Sequence, residues 1–236
     1  MLSPSSAEWP LWRADQLAGA HAGAPARSTG FAALDAELPG GGWPTGALTE
    51  LLLDAPGAGE LSLLAPWLAA AEAPLLWVAP PLWPYAPALA ALGLPPARLT
   101  IVDPERAADA AWAAEQALRA GVLGAVLWWQ GREPVSTPIL RRLHLAAQEG
   151  RTPLIALRPS HVCAHSSPAP LRLKLEVPSP GRIAVTVFKR RGPPMTAPLL
   201  IDLPGPALRR PRRVASITPE EPTDAVVRPA PARAAA

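Results

Sequence analysis

Cysteine occurs once, at Cys163, so no disulfide can form within the chain. Phe and Met occur twice each and Tyr once, which leaves aliphatic residues and nine Trp to fill a core. Charged residues make up only 17% of the chain, well under the average of about a quarter. The longest apolar runs, Leu61 to Ala71 and Pro74 to Pro81, are too short or too broken to cross a bilayer, so no membrane span is expected. The opening Met1 to Glu8 lacks the basic segment and following apolar stretch of a secretory signal, which predicts a cytoplasmic protein.

Proline, by contrast, is abundant at 33 residues beside 17 Gly, and hydrophobic residues reach 49% of the 236. That length holds one sizeable core, or one core plus a tail. Net charge is a modest +3 but unevenly placed: between Lys189 and Arg213 lie seven basic residues and one acid, Asp202. Such a local excess suits a polyanion or an acidic partner surface.

Residues 1–27 carry Trp9 and Trp12 and then turn Ala/Gly/Pro-rich, which reads as an anchoring segment and a linker. Turn formers dominate Leu38 to Gly46. Ala47 to Leu53 is then nearly all apolar, as in a strand covered on both faces. A loop, Asp54 to Glu60, leads to a helix over Leu61 to Ala73, which Pro66 either kinks or enters in its first turn. Strands are expected at Leu75 to Ala79, Leu99 to Val102, Val122 to Trp129 and Pro153 to Leu157. Helices are expected at Trp83 to Leu92, Asp109 to Ala120 ended by Gly121, and from a Thr137 N-cap with Pro138 at N1 through Glu149. Repeated strand–helix alternation implies a mostly parallel sheet. Leu171 to Val177 and Ile183 to Phe188 flank a Pro-Gly turn, so a hairpin should finish that sheet at the C-terminal side of a 28–204 domain. Residues 205–236 are mainly Pro, Ala and Arg and have too little to bury, which predicts a flexible tail.

A strand, a Gly-rich loop and a helix in that order form the setting of a phosphate-binding loop. Its pattern is Gly, four residues, Gly, Lys, Ser or Thr; here the same register holds Asp54, Gly57 within the loop, then Gly59, Glu60 and Leu61. Lysine charge and a magnesium-binding hydroxyl are both missing, and a carboxylate stands at each end. The fourth strand ends in Trp128-Trp129-Gln130 rather than in an acid that would hold magnesium through water. These residues predict a degenerate site that binds no cofactor and hydrolyses nothing, with an ordinary turn in an unrelated α/β domain and an unusual ATPase as the other readings.

Ser28-Thr29-Gly30-Phe31-Ala32-Ala33-Leu34-Asp35, followed by Leu38 to Glu50, resembles the run that precedes the phosphate loop in RecA recombinases. Asp54 and Gly59 fall where that family has its two loop glycines, Glu60 where it has the lysine and Leu61 where it has the hydroxyl. Glu50 to Leu61, Leu140-Arg141-Arg142-Leu143-His144-Leu145-Ala146-Ala147, Arg158-Pro159, Ser167 to Leu173 and Lys189-Arg190-Arg191-Gly192 are similar to the ImuA family of bacterial translesion-synthesis proteins. The resemblance covers about residues 28 to 200 and implies a RecA-like α/β core. It also implies a non-catalytic adaptor in SOS-induced mutagenesis, beside the inactive Y-family polymerase relative ImuB and the error-prone polymerase DnaE2, with RecA as a further partner. An active RecA-like ATPase acting on DNA and a SulA-type division inhibitor acting by protein binding are the alternatives.

Contact candidates follow from charge. Arg141 and Arg142 project from a helix toward solvent or a partner, while Lys189, Arg190 and Arg191 cluster at the end of the last strand and suit weak, sequence-independent DNA binding. In the tail, Arg209, Arg210, Arg212 and Arg213 precede apolar Val214 and Ile217, a set suited to partner docking. His161, Cys163 and His165 would share one side of a strand, but a fourth metal ligand is not placed, and a loop is the simpler reading.

Overall fold

A computed structural model describes residues 25–131, 133–193 and 195–204. Its centre is an eight-stranded sheet in the order β10-β9-β8-β3-β7-β6-β4-β5. These strands are β3 (Leu48–Leu53), β4 (Leu75–Val78), β5 (Leu99–Val102), β6 (Ala125–Trp129), β7 (Leu154–Pro159), β8 (Leu171–Ser179), β9 (Arg182–Lys189) and β10 (Leu199–Asp202). From β8 to β5 all neighbours are parallel, while β9 and β10 join antiparallel. The sheet is therefore mixed, and the hairpin does not finish it, because β10 adds one more strand. A separate two-stranded ribbon pairs β1 (Ala26–Arg27) with β2 (Trp43–Pro44).

Alternation along the strands assigns residues to two layers. Leu51, Leu53, Trp77, Leu127, Trp129, Ile155 and Leu157 face one core, with α1 (Ala32–Glu37) and α2 (Glu60–Ala69). Leu48, Val78, Val126, Trp128, Leu154 and Ala156 face the other, with α4 (Ala107–Ala120) and α5 (Thr137–Glu149). A short α3 (Ala86–Ala91) lies between β4 and β5. Trp128 and Trp129 thus point to opposite faces, and both are buried.

Helix limits differ from expectation for local reasons. α2 starts at Glu60 and stops at Ala69, with Pro66 inside it beyond the first turn. Pro74 disfavours helical backbone at Ala73, so the helix cannot run to the expected end. Pro84 likewise trims the expected Trp83 start of α3 to Ala86. The cap of α5 is Ser136, which moves Thr137 and Pro138 one place further into the helix. Gly121 does close α4 in a left-handed conformation, at φ 67°.

The segment before β3 is tied down by its own side chains. Asp35 accepts hydrogen bonds from the Thr29 amide at 2.7 Å and the Ser28 hydroxyl at 2.6 Å. Gly30 sits at φ 88° so close to Pro66 that an added Cβ would lie 2.4 Å from the Pro66 Cβ. Only glycine allows that approach, which locks the α1 segment onto α2.

Candidate functional site

The loop between β3 and α2 lies at the ends of the parallel strands, where open α/β sheets usually bind ligands. Gly57 and Gly59 both adopt left-handed backbone, at φ 83° and 93°. Gly59 is the N-cap of α2, and Glu60 is the first helical residue. The Glu60 side chain folds back: its Oε1 accepts a hydrogen bond from the Gly57 amide at 2.8 Å. A carboxylate from the chain itself thus occupies one of the amides that would face a phosphate. Its second oxygen is buried with no partner. Leu61 packs against the core, and Asp54 accepts a hydrogen bond from the Ser160 hydroxyl. A Cβ added at Gly59 would lie 2.6 Å from the end of the Leu203 side chain, which would have to shift.

Beside this loop a cavity of about 140 Å³ is bounded by Asp54, Pro56, Ala79, Trp129, Gln130 and Arg158. Small-molecule sites usually measure about 300–1,000 Å³, so this space is too small for a nucleotide. At the position expected for a magnesium-binding acid, Trp129 packs edge-on against Trp77, with ring centroids 5.3 Å apart. Gln130 follows and accepts a hydrogen bond from Arg158 Nε at 2.7 Å. A larger cavity, about 1110 Å³, opens at the opposite end of the sheet.

Arg158 belongs to a buried polar cluster that sequence reasoning did not assemble. Glu50 on β3 is fully buried; its Oε1 accepts from Arg158 Nη1 at 2.7 Å and from Ser167 Oγ at 2.6 Å. Its Oε2 accepts from Arg172 Nε at 2.6 Å. Arg172 then donates to the carbonyls of Val162, Cys163 and His165 at 3.1–3.2 Å, and its guanidinium lies 4.8 Å from the Phe188 ring centre. Burial draws the Arg158 guanidinium below its ordinary pKa, with Glu50 opposing the shift. Strand register explains the meeting, since Arg172 pairs directly with Glu50 and Arg158 lies one diagonal step along β7. Glu50, Arg158, Ser167 and Arg172 all lie in segments quoted for the family resemblance. A charged residue inside an otherwise apolar strand was the available signal, but its partners are over a hundred positions away.

The expected contact residues separate on inspection. Arg142 is bonded to the buried Glu115, with Nε 3.1 Å from Oε2, and this holds the Glu115 carboxyl below its usual range. It joins α5 to α4 rather than offering a free charge. Arg141 is exposed. Lys189 Nζ donates to the Ser167 carbonyl at 2.7 Å, and Arg190 Nη1 meets Glu37 Oε2 at 2.7 Å on α1. Both brace the fold as well; Lys189 and Arg191 are exposed and Arg190 is half-buried. Arg209, Arg210, Arg212, Arg213, Val214 and Ile217 lie outside the described residues, as do Trp9 and Trp12.

No protein-family model matches the chain, and no curated protein matches it significantly. His144 on α5 accepts the Leu48 amide at Nδ1, 3.2 Å away, and burial followed by the nearby Lys189 charge keeps its pKa below the ordinary value. His161, Cys163 and His165 fall on a short 3₁₀ turn (Ser160–Ala164) and its cap, not on a strand. Among the described residues no three His, Cys, Asp or Glu side chains are grouped to hold a metal ion, and no helix is long and apolar enough to cross a membrane.

Proposed function

We propose that this protein is a non-catalytic adaptor of ImuA type in SOS-induced translesion DNA synthesis, working in the cytoplasm through protein contacts rather than through ATP. The observation that carries the non-catalytic part is the Glu60 carboxylate turned onto the Gly57 amide, in a loop placed between strand and helix as a phosphate loop would be. Asp54 at the start of the loop, Trp129 at the end of β6 and the small neighbouring cavity support the same reading. The assignment to translesion synthesis rests on the resemblance of the quoted segments. It names the ImuB-like polymerase relative as first partner, with RecA and the DnaE2 assembly as further ones.

Titration of the full chain with a fluorescent ATP analogue and magnesium, beside a phosphate-release assay, tests the non-catalytic part. Neither saturation at micromolar protein nor phosphate release is expected. Micromolar binding with turnover lost in a loop variant that keeps its melting temperature would establish the ATPase instead.

A further inference from the structure

Three large apolar side chains stand in solvent close together in the loop between β4 and α3: Leu82 and Trp83 are 74% exposed and Tyr85 is 72% exposed. Other exposed large hydrophobics, such as Trp112, Val122 and Leu200, lie singly elsewhere. Single exposed residues are ordinary, whereas a contiguous cluster marks a contact site.

The loop is held at both ends. At its start Ala79 adopts left-handed backbone, φ 52°, and donates its amide to the Val102 carbonyl at 2.8 Å. At its end the Tyr85 carbonyl accepts the Ala88 and Leu89 amides at 3.0 and 3.1 Å, and Leu89 is buried. Pro80, Pro81 and Pro84 fix φ between those points. A preset backbone lowers the ordering cost of contact, so these side chains are preorganised for a partner.

Strand register places acids beside them. Val78 ends β4 level with Val102 of β5 and Trp128 of β6. The loops leaving β5 and β6 carry Asp103, Glu105 and Glu133, all exposed. None of these three forms an ion pair among the described residues, and the neighbouring Arg106 pairs with Asp109 at 3.7 Å. A cavity of about 250 Å³ opens between the loops, with Ala79, Pro104, Glu105 and Glu133 in its lining.

We propose that this end of the sheet docks a basic peptide segment of a partner protein. Leu82, Trp83 and Tyr85 receive its apolar side chains, while Asp103, Glu105 and Glu133 receive its Lys or Arg. Trp and Tyr are among the residues that most often dominate binding energy at protein interfaces. The carboxylates decide between partner classes. Exposed aromatic rings can also stack nucleobases, but acids beside them repel phosphate, so a cationic peptide is the occupant that matches. This docking goes beyond the adaptor reading and does not depend on the translesion assignment, so either can fail alone.

The test pans a display library of random dodecapeptides against the full chain and, in parallel, against its Leu82→Ser/Trp83→Ser/Tyr85→Ser variant. The melting temperature of that variant should be unchanged, because the three side chains are exposed. Peptides enriched on the native chain alone should combine Lys or Arg with Leu, Phe or Trp. In anisotropy titrations the most enriched peptide should bind the triple variant about tenfold more weakly. Glu105→Gln/Glu133→Gln, which alters charge only, should weaken it about threefold at low salt and less at high salt. Should the triple variant melt early, the charge variant decides by itself. Equal enrichment on both chains, or enriched peptides that are acidic or uncharged, would overturn the proposal, as would unchanged affinity in Glu105→Gln/Glu133→Gln. A fluorescent oligothymidylate that binds the native chain but not the triple variant would overturn it in favour of single-stranded nucleic acid.

Discussion

Glu50 Oε1 and Arg158 Nη1 meet at 2.7 Å across β3 and β7, although 108 positions separate them in the chain. With Arg172 on the other oxygen, one buried carboxylate holds two buried guanidinium groups. Removing the carboxylate leaves two charges unpaired in the interior, and breaking a buried pair in this way costs about 3–5 kcal/mol. Glu50→Ala is therefore expected to lower the urea midpoint sharply or to prevent folding. Replacing Glu50, Arg158 and Arg172 together with apolar residues of similar volume should be much milder, because no charge is then stranded. Chemical denaturation of both variants measures the difference, and equal destabilisation would show that the charges do not act as a unit.

The parallel part of the sheet was legible because β3 to β7 are mostly apolar runs of four to six residues, and because Gly121 marks the end of α4 and Pro138 the start of α5. What stayed hidden depended on distance. Lys189 and Arg190 look like free cations in sequence, yet each finds an acceptor far along the chain, Ser167 and Glu37. The loop after β3 carries a carboxylate at each end in sequence, but Glu60 folds inward onto the Gly57 amide, a rearrangement that composition does not reveal. β10 was missed because four residues between two prolines look like a linker until β9 offers them an edge.

His144 gives a pH dependence whose sign follows from its surroundings. Its folded pKa lies below the ordinary 6.5, first through burial and then through Lys189. The unfolded imidazole takes up a proton near the ordinary value, so the folded state is favoured fully above that pH and loses ground as pH falls toward the folded pKa. Melting temperature should decline between about pH 7.5 and 5.5, and His144→Gln should flatten that decline. Lys189→Met should reduce it in part, by removing the neighbouring charge. An unchanged profile in His144→Gln would assign the loss to other groups.

The braced cations predict a split between stability and DNA contact. Arg190→Ala removes the bond to Glu37 and should lower the melting temperature with little change in DNA affinity. Arg191→Ala should leave the melting temperature alone, and if Arg191 meets phosphate it should lessen the salt slope by about 0.9. Anisotropy titrations of a fluorescent duplex across salt concentrations read both. Equal loss of DNA affinity in the two variants would put Arg190 back among the contact residues.

The strongest expectation about partners concerns the residues beyond Pro204. Leu203 closes the described fold by donating to the Gly181 carbonyl at 2.8 Å, so a chain stopped after Pro204 keeps β10 and its pairing with β9 intact. What it loses is Arg209, Arg210, Arg212, Arg213, Val214, Ile217 and the acidic pair Glu220 and Glu221. Charges of both signs around two apolar anchors suit a segment that orders on contact, at an entropic cost that only a complementary partner offsets. Co-purification with an ImuB-like protein should weaken at least tenfold in the shortened chain, about 1.4 kcal/mol, while its melting temperature stays unchanged. RecA is the second partner to try in the same assay. If the shortened protein kept full affinity and still supported damage-induced mutagenesis, the interaction surface would have to lie on the folded core, where the exposed Leu82, Trp83 and Tyr85 beside α3 offer the next set of anchors to replace.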